Sequence, residues 1–195
     1  MKRLFDIIFS FIGIIILLPF FLMFAIMIIV SSGFPVFYFQ KRVGRDGIDF
    51  SLVKFRTMKI NSHKKGLLTV GEKDSRITSM GYFLRKYKMD EFPQLFNVLF
   101  GDMSLVGPRP EVRKYVEMYN AEQKKVLSVK PGITDYASIE YSNENSILVK
   151  SENPERLYIN EVMPAKLKLN LKYIKEQNFF TDLKIIFKTM EKILF

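Results

Sequence analysis

From Ile7 to Val30 the chain is almost wholly apolar, interrupted by Ser10, Gly13 and Pro19. A helix of that length crosses a hydrocarbon core of about 30 Å. It also exceeds the roughly 7–15 apolar residues usual in a cleaved signal peptide. Lys2 and Arg3 precede the run, and Lys41, Arg42 and Arg45 follow it. The positive-inside rule therefore assigns no orientation, as expected when both ends face the same side. Pro19 removes a hydrogen bond and crowds the preceding turn, which leaves two readings: a kinked spanning helix, or a re-entrant helix broken at Pro19. Asp6 is expected to pair with a basic residue at the interface.

Beyond a turn at Ser31–Pro35, Val36–Phe39 reads as a short strand and Gln40–Gly47 as a basic, glycine-punctuated loop. Phe50–Met58 alternates as a strand, which places Lys54 and Arg56 on one face. Residues 61–75 read as a mobile polar loop. Thr78 or Ser79 is positioned to cap a helix through Lys86. Glu111–Val129 reads as a polar-rich helix, Pro131–Thr134 as a turn, and 135–153 as a polar, substrate-facing loop. Pro164 opens a final basic, apolar-faced helix to Phe195, which suits a core position or a membrane surface.

Phe92, Leu95, Phe96 and Leu99 recur at helical spacing, and Gly101 is a stop. With Asp90 as the cap, Pro93 falls in the first turn, where a missing N–H costs little. Asp90 and Glu91 then lie at the positive end of a helix, pointing about 100° apart. Acidic residues at a helix start are commonly only caps, so their chemistry rests on the rest of the chain.

The formal charge of +10 points to an anionic partner: nucleic acid, anionic lipid or a phosphorylated substrate. The apolar run and basic tail favour an anionic membrane over nucleic acid. There is no cysteine, hence no disulfide and no thiolate chemistry, and the one histidine, His63, lies in a polar stretch. A Ser-His-Asp triad is disfavoured, and a multi-histidine metal site is excluded. No Asp-x-Asp pair exists, which disfavours metal-dependent glycosyltransferases of that type.

Several short motifs follow one another in a fixed order: Lys2–Ile7 entering an apolar run with a central proline, Gln40–Gly44, Lys54–Met58, Asp74–Thr78, Leu84–Lys86, Asp90-Glu91 with Pro93–Leu95 and Asn97–Leu99, Gly101–Pro110, and Pro131–Thr134. In this order they resemble the bacterial sugar transferases, the small monotopic polyprenyl-phosphate phosphoglycosyl transferases. The resemblance implies a mixed, helix-rich α/β fold. Residues 1–33 would form a re-entrant membrane helix broken at Pro19. Residues 34–195 would form a small cytosolic catalytic domain with interfacial amphipathic helices, on the cytoplasmic face of the bacterial inner membrane.

The implied reaction transfers a sugar-1-phosphate from a UDP-sugar to undecaprenyl phosphate, initiating a lipid-linked glycan such as an exopolysaccharide. Asp90 would be the nucleophile, forming a phosphosugar intermediate, and Glu91 would assist; both would hold Mg²⁺. Lys54, Arg56, Arg76, Arg85 and Arg109 are candidate diphosphate ligands, since guanidinium offers a bidentate fork. Arg109, held between two prolines, loses least freedom on binding. Implied partners are the UDP-sugar, the polyprenyl phosphate and membrane phospholipid, with no nucleic acid; a homo-oligomer is left open. Two departures stand out: Lys88 replaces a small polar residue, and Asp135–Ile139 replaces the common Gly-Trp-Ala-Gln-Val, so the family does not name the sugar. The rival reading is a membrane-anchored, non-catalytic interaction module.

Overall fold

The computed structural model describes residues 1–60, 62 and 74–194. His63 and most of the loop expected over 61–75 lie outside the described residues. The fold is helix-rich α/β, led by one long apolar helix.

Helix α1 (Lys2–Ser32) is continuous, with Pro19 inside it. The expected break at Pro19 is corrected: a proline forfeits one backbone bond, and packing on both sides of it holds the helix together. Asp6, Ser10, Phe21, Phe24 and Ile28 are buried along one stripe, while Pro19 and most other apolar side chains of α1 are exposed. Within the stripe, a Cβ at Gly13 would lie 3.2 Å from Leu95 Cδ1. Both ends of α1 are tied to the same body. At the start, Lys2 pairs with Asp182 and donates to Tyr173 Oη at 3.1 Å, and Arg3 donates to Val98 O at 2.5 Å and Leu99 O at 2.8 Å. Asp6 takes hydrogen bonds from Ser104 Oγ (3.1 Å) and Leu105 N (3.0 Å) rather than pairing with a base. At the far end, Arg56 donates to Ser32 O at 3.0 Å, to Gly33 O, and to Pro35 O at 2.6 Å.

Strands β1 (Phe37–Val43) and β2 (Asp49–Phe55) form an antiparallel hairpin with Phe37 opposite Phe55. The strand thus continues through Gln40–Val43, where charge had suggested a loop; pairing with β2 overrides composition. Thr78 caps α2 (Ser79–Lys86), accepting from Gly81 N at 2.9 Å. A Cβ on Gly81 would strike the Thr57 backbone, so glycine lets α2 close on the chain leaving β2.

Helix α3 (Gln94–Phe100) ends at Gly101, whose φ is 101°, a conformation glycine adopts without steric cost. Its fully buried residues are Gln94, Asn97 and Val98. Phe92 and Phe96, expected to face the core, are half-buried against α1. Asn97 is the inward residue: it accepts from Val53 N at 2.9 Å and donates to Ser51 O at 2.8 Å, stitching α3 to β2.

Strands β3 (Ser104–Val106) and β4 (Gly132–Thr134) pair in parallel, so the expected turn at 131–134 is a strand. Between them lie only α4 (Arg113–Val116) and a 3₁₀ turn, Gln123–Ser128, in place of a helix over Glu111–Val129. Asn120 and Gln123 exchange side-chain-to-backbone bonds at 2.9 Å, the local competition that interrupts a helix. The expected polar loop contains α5 (Tyr136–Glu140) and α6 (Glu144–Val149), followed by α7 (Pro154–Leu157). A π turn, Tyr158–Val162, leads into α8 (Met163–Glu176); Pro164 lacks an N–H, and ladders loosen at such points. Helix α8 buries Met163, Leu167, Asn170 and Tyr173 and belongs to the core. Helix α9 (Phe179–Leu194) exposes Phe179, Phe180, Phe187 and Met190.

Candidate active site

A cleft of ≈ 1120 Å³ runs between the α2–α3 turn, the loop after β3, helices α5, α6 and α8, the middle of α1 and the C-terminal turns of α9. Lys88, with φ 56°, sends the chain into a 3₁₀ turn over Met89–Glu91. Asp90 is therefore not the cap of α3; Pro93 occupies that place and no side chain caps it. The turn presents Asp90 and Glu91 to the cleft.

Glu91 is held by two cations. Lys54 Nζ donates to Oε1 at 3.0 Å, and Arg109 reaches both oxygens, with Nη1 to Oε2 at 3.0 Å. Burial works against the charged form of Glu91, yet Arg109 and Lys54 together overcome it and hold the carboxyl well below its ordinary range. Burial lowers the Lys54 ammonium against the attraction of Glu91, and the Glu91 charge raises Arg109. Asp90 differs from its neighbour. It is buried, and its carboxylate accepts no hydrogen bond among the described residues. Burial raises it above the ordinary aspartate range; Glu91 adds to the rise, while Lys54, Arg85 and Lys88 oppose it. Two adjacent carboxyls thus stand in opposite electrostatic states.

Arg109 is placed by the β3–β4 pair. Gly107 and Gly132 approach so closely that a Cβ on Gly132 would collide with the Gly107 backbone, and one on Gly107 with Lys130 O. Arg109 N then donates to Asp135 Oδ2 at 3.0 Å, and Asp135 Oδ1 caps α5 through Ser138 N at 2.5 Å. Asp135, fully buried, is a positioning residue that the sequence signalled only as a departure from the family pattern.

Of the candidate cations, Lys54, Arg85 and Arg109 line the cleft with Asp90 and Glu91; Arg56 and Arg76 do not. Arg56 is buried against the carbonyls that end α1, and Arg76 is bound by Asp74, with Nη2 to Oδ2 at 2.6 Å. Arg56 closes a helix end and Arg76 a local turn, so the structure does not bring these two expected diphosphate ligands to the cleft. Pro19 is exposed on α1. Arg42, read earlier only as part of a basic motif, does line the cleft, donating to Pro110 O at 3.0 Å and pairing with Glu111 at 2.9 Å.

Among the described residues, no three His, Cys, Asp or Glu side chains gather as a metal site. Mg²⁺ is commonly held by one or two carboxylates plus substrate phosphates. Asp90, without a hydrogen bond among the described residues, suits that donor set; Glu91 already spends both oxygens on Lys54 and Arg109.

A family profile for bacterial sugar transferases matches residues 1–195. The chain is 39% identical over 175 residues to a galactosyl transferase of Streptococcus agalactiae, covering 84% of this chain and 36% of that one. It is 37% identical to a UDP-glucose:undecaprenyl-phosphate glucose-1-phosphate transferase of Klebsiella pneumoniae, covering 98% and 39%. It is 35% identical to a UDP-N-acetylgalactosamine-undecaprenyl-phosphate N-acetylgalactosaminephosphotransferase of Aeromonas hydrophila, covering 99% and 43%. The chain thus spans less than half the length of these three relatives.

Proposed function

We propose, for a chain that belongs to the bacterial sugar transferase family, that it moves a sugar-1-phosphate from a UDP-sugar to undecaprenyl phosphate at the bacterial inner membrane. The observation that carries this reading is the pair of unlike carboxyls: Asp90, buried without a hydrogen bond among the described residues, beside Glu91 clamped by Lys54 and Arg109. In the first step an Asp90 oxygen attacks the sugar-bearing phosphorus. The bond from that phosphorus to the bridging oxygen breaks, and UMP leaves with the electron pair. In the second step an oxygen of the polyprenyl phosphate attacks the same phosphorus and Asp90 departs as carboxylate. A carboxylate nucleophile is established chemistry for such transfers, and catalysis comes mainly from positioning and charge neutralisation. Glu91 keeps Arg109 and Lys54 oriented, Arg85, Lys86 and Lys88 add positive charge at the phosphates, and bound Mg²⁺ would supply further neutralisation next to Asp90.

The acceptor's lipid chain is accommodated on the apolar side of the cleft, where Gly13, Leu17, Leu95 and Met190 contribute to the lining. The exposed apolar residues of α1 and α9 contact phospholipid. Both ends of α1 bind one body, which supports a re-entrant placement with the catalytic domain wholly on the cytoplasmic face. The test is UMP release from a panel of UDP-sugars with Mg²⁺ and undecaprenyl phosphate. Release by the wild type that depends on lipid and is abolished in Asp90→Asn is expected. Activity undiminished in Asp90→Asn overturns the nucleophile, and silence from folded protein on every donor favours an anchored, non-catalytic module.

A further inference from the structure

The wall of the cleft formed by β1, α5 and α8 carries polar atoms that the transfer chemistry does not use. Arg42, Ser138 and Asn170 line the cleft, and their buried atoms Nε, Oγ and Oδ1 find no hydrogen-bond partner among the described residues. Asn170 is 4% exposed, on a helix whose other inward residues are apolar or tyrosine. Buried polar groups left unpaired reduce stability, and several around one cavity suggest groups reserved for a ligand.

The charges of this wall cancel. Arg42 pairs with Glu111 at 2.9 Å, and Lys166 pairs with Glu144 at 2.6 Å. Glu111 is fully engaged: Val112 N reaches Oε1 at 2.8 Å, and the Tyr158 hydroxyl donates to Oε2. This network fixes Arg42 and leaves its Nε unpaired in the wall. The Asp90 side is different: among the described residues lining the cleft there, the cations Lys54, Arg85, Lys86, Lys88 and Arg109 outnumber the carboxylates Asp90 and Glu91. A ligand spanning the cleft would therefore place its anionic part by Asp90 and an uncharged, hydrogen-bonding part on this wall.

We infer that Arg42, Ser138 and Asn170 form a binding pocket for the uncharged end of the donor substrate, a ring bearing both hydrogen-bond donors and acceptors. The inference rests on the nucleotide-sugar reading above. The wall offers one N–H donor, one carbonyl acceptor and one hydroxyl that serves as either. The polyprenyl acceptor has no polar group besides its phosphate, so it does not match. A UDP-sugar has two matching ends: the hydroxylated sugar and the uracil edge, in which an N–H lies between two carbonyls.

The test uses the full chain in lipid nanodiscs, with Asn170→Leu and Ser138→Ala. Leucine keeps asparagine's branching at Cγ and removes an unpaired amide oxygen, so thermal stability should hold or rise. Each variant should raise the donor KM by about three- to ten-fold, more than it lowers kcat. Competition by UMP then separates the two ends. UMP inhibition weakened equally against all donors assigns the pocket to uracil; UMP inhibition unchanged, with the order of preference among UDP-sugars altered, assigns it to the sugar. Either result upholds the pocket. Unchanged KM and unchanged UMP inhibition in both variants, with an active wild type, overturn the pocket and leave the transferase reading intact. Loss confined to kcat also overturns it. No UMP release by the wild type from any donor overturns the underlying reading and this inference with it.

Discussion

Arg109 grips both carboxylate oxygens of Glu91, with Nη1 to Oε2 at 3.0 Å, and so joins two motifs 18 residues apart. Lys54 completes the clamp from β2. Removing the carboxylate leaves two cations facing each other in a mostly desolvated place. Glu91→Gln should cost about 3 kcal/mol of stability, read as a fall in the denaturation midpoint. A change below a few tenths of a kcal/mol would show that the clamp is only an exposed ion pair.

The same carboxyl gives stability an acid limit. Glu91 is held below its ordinary pKa, so its contribution is fully present above the usual glutamate range and is lost as pH falls through the folded value. Wild-type thermal midpoints should drop on acidification below that range, and Glu91→Gln should flatten the drop.

Asp90 behaves in the opposite sense. Its pKa is raised by burial, so ionised Asp90 costs stability at neutral pH, and the cost disappears as pH falls through the folded value toward the usual aspartate range. Asp90→Asn should therefore melt higher than wild type at neutral pH, with the gap closing on acidification, while losing UMP release. A mutant less stable at neutral pH would contradict this.

An attacking carboxylate must be ionised, so the acid limb of kcat/KM should lie above the ordinary aspartate range. Lys88 draws Asp90 down and also occupies a left-handed backbone position, with φ 56°, that costs a lysine on the order of 1 kcal/mol. Lys88→Asn should raise the thermal midpoint and shift the acid limb to higher pH. Opposite movement of both readouts would refute the assignment.

Arg56 serves the end of α1 rather than the substrate. Arg56→Lys loses the fork that reaches several carbonyls at once and should cost about 2 kcal/mol, with donor KM unchanged in protein that remains folded. A raised KM at unchanged stability would return Arg56 to the diphosphate.

Much of this was legible in the chain. The apolar run, the Thr78 cap, the Gly101 stop and the helix-rich class follow from local rules, and Asp90, Glu91, Lys54, Arg85 and Arg109 do meet in one cleft. Other features depend on partners distant in sequence. Lys54 and Arg56 alternate onto one face of a strand by period, but the strand ends at Phe55 and Arg56 turns to the carbonyls at 32, 33 and 35. The apolar stripe of α3 suggested its inward face, whereas Asn97 points inward because it satisfies backbone groups of β2. Ser138 falls in the stretch expected to face the substrate, but Asn170 lies where the sequence carries no motif, and only the cleft makes it notable.

The Lys2–Asp182 pair closes a loop of 180 residues, and this sets an order of events during synthesis. The apolar helix leaves the ribosome before α9, but the Lys2 end of its first turn cannot lock until α9 exists. Arg3 and Asp6 meet α3 and β3 before that, so the Lys2–Asp182 pair is the last of these N-terminal contacts to form. Contacts of such long sequence separation form late and slowly, so maturation should end with the anchor's own N-terminal clasp, and premature termination before α9 should leave a membrane-bound chain that never completes its catalytic cleft.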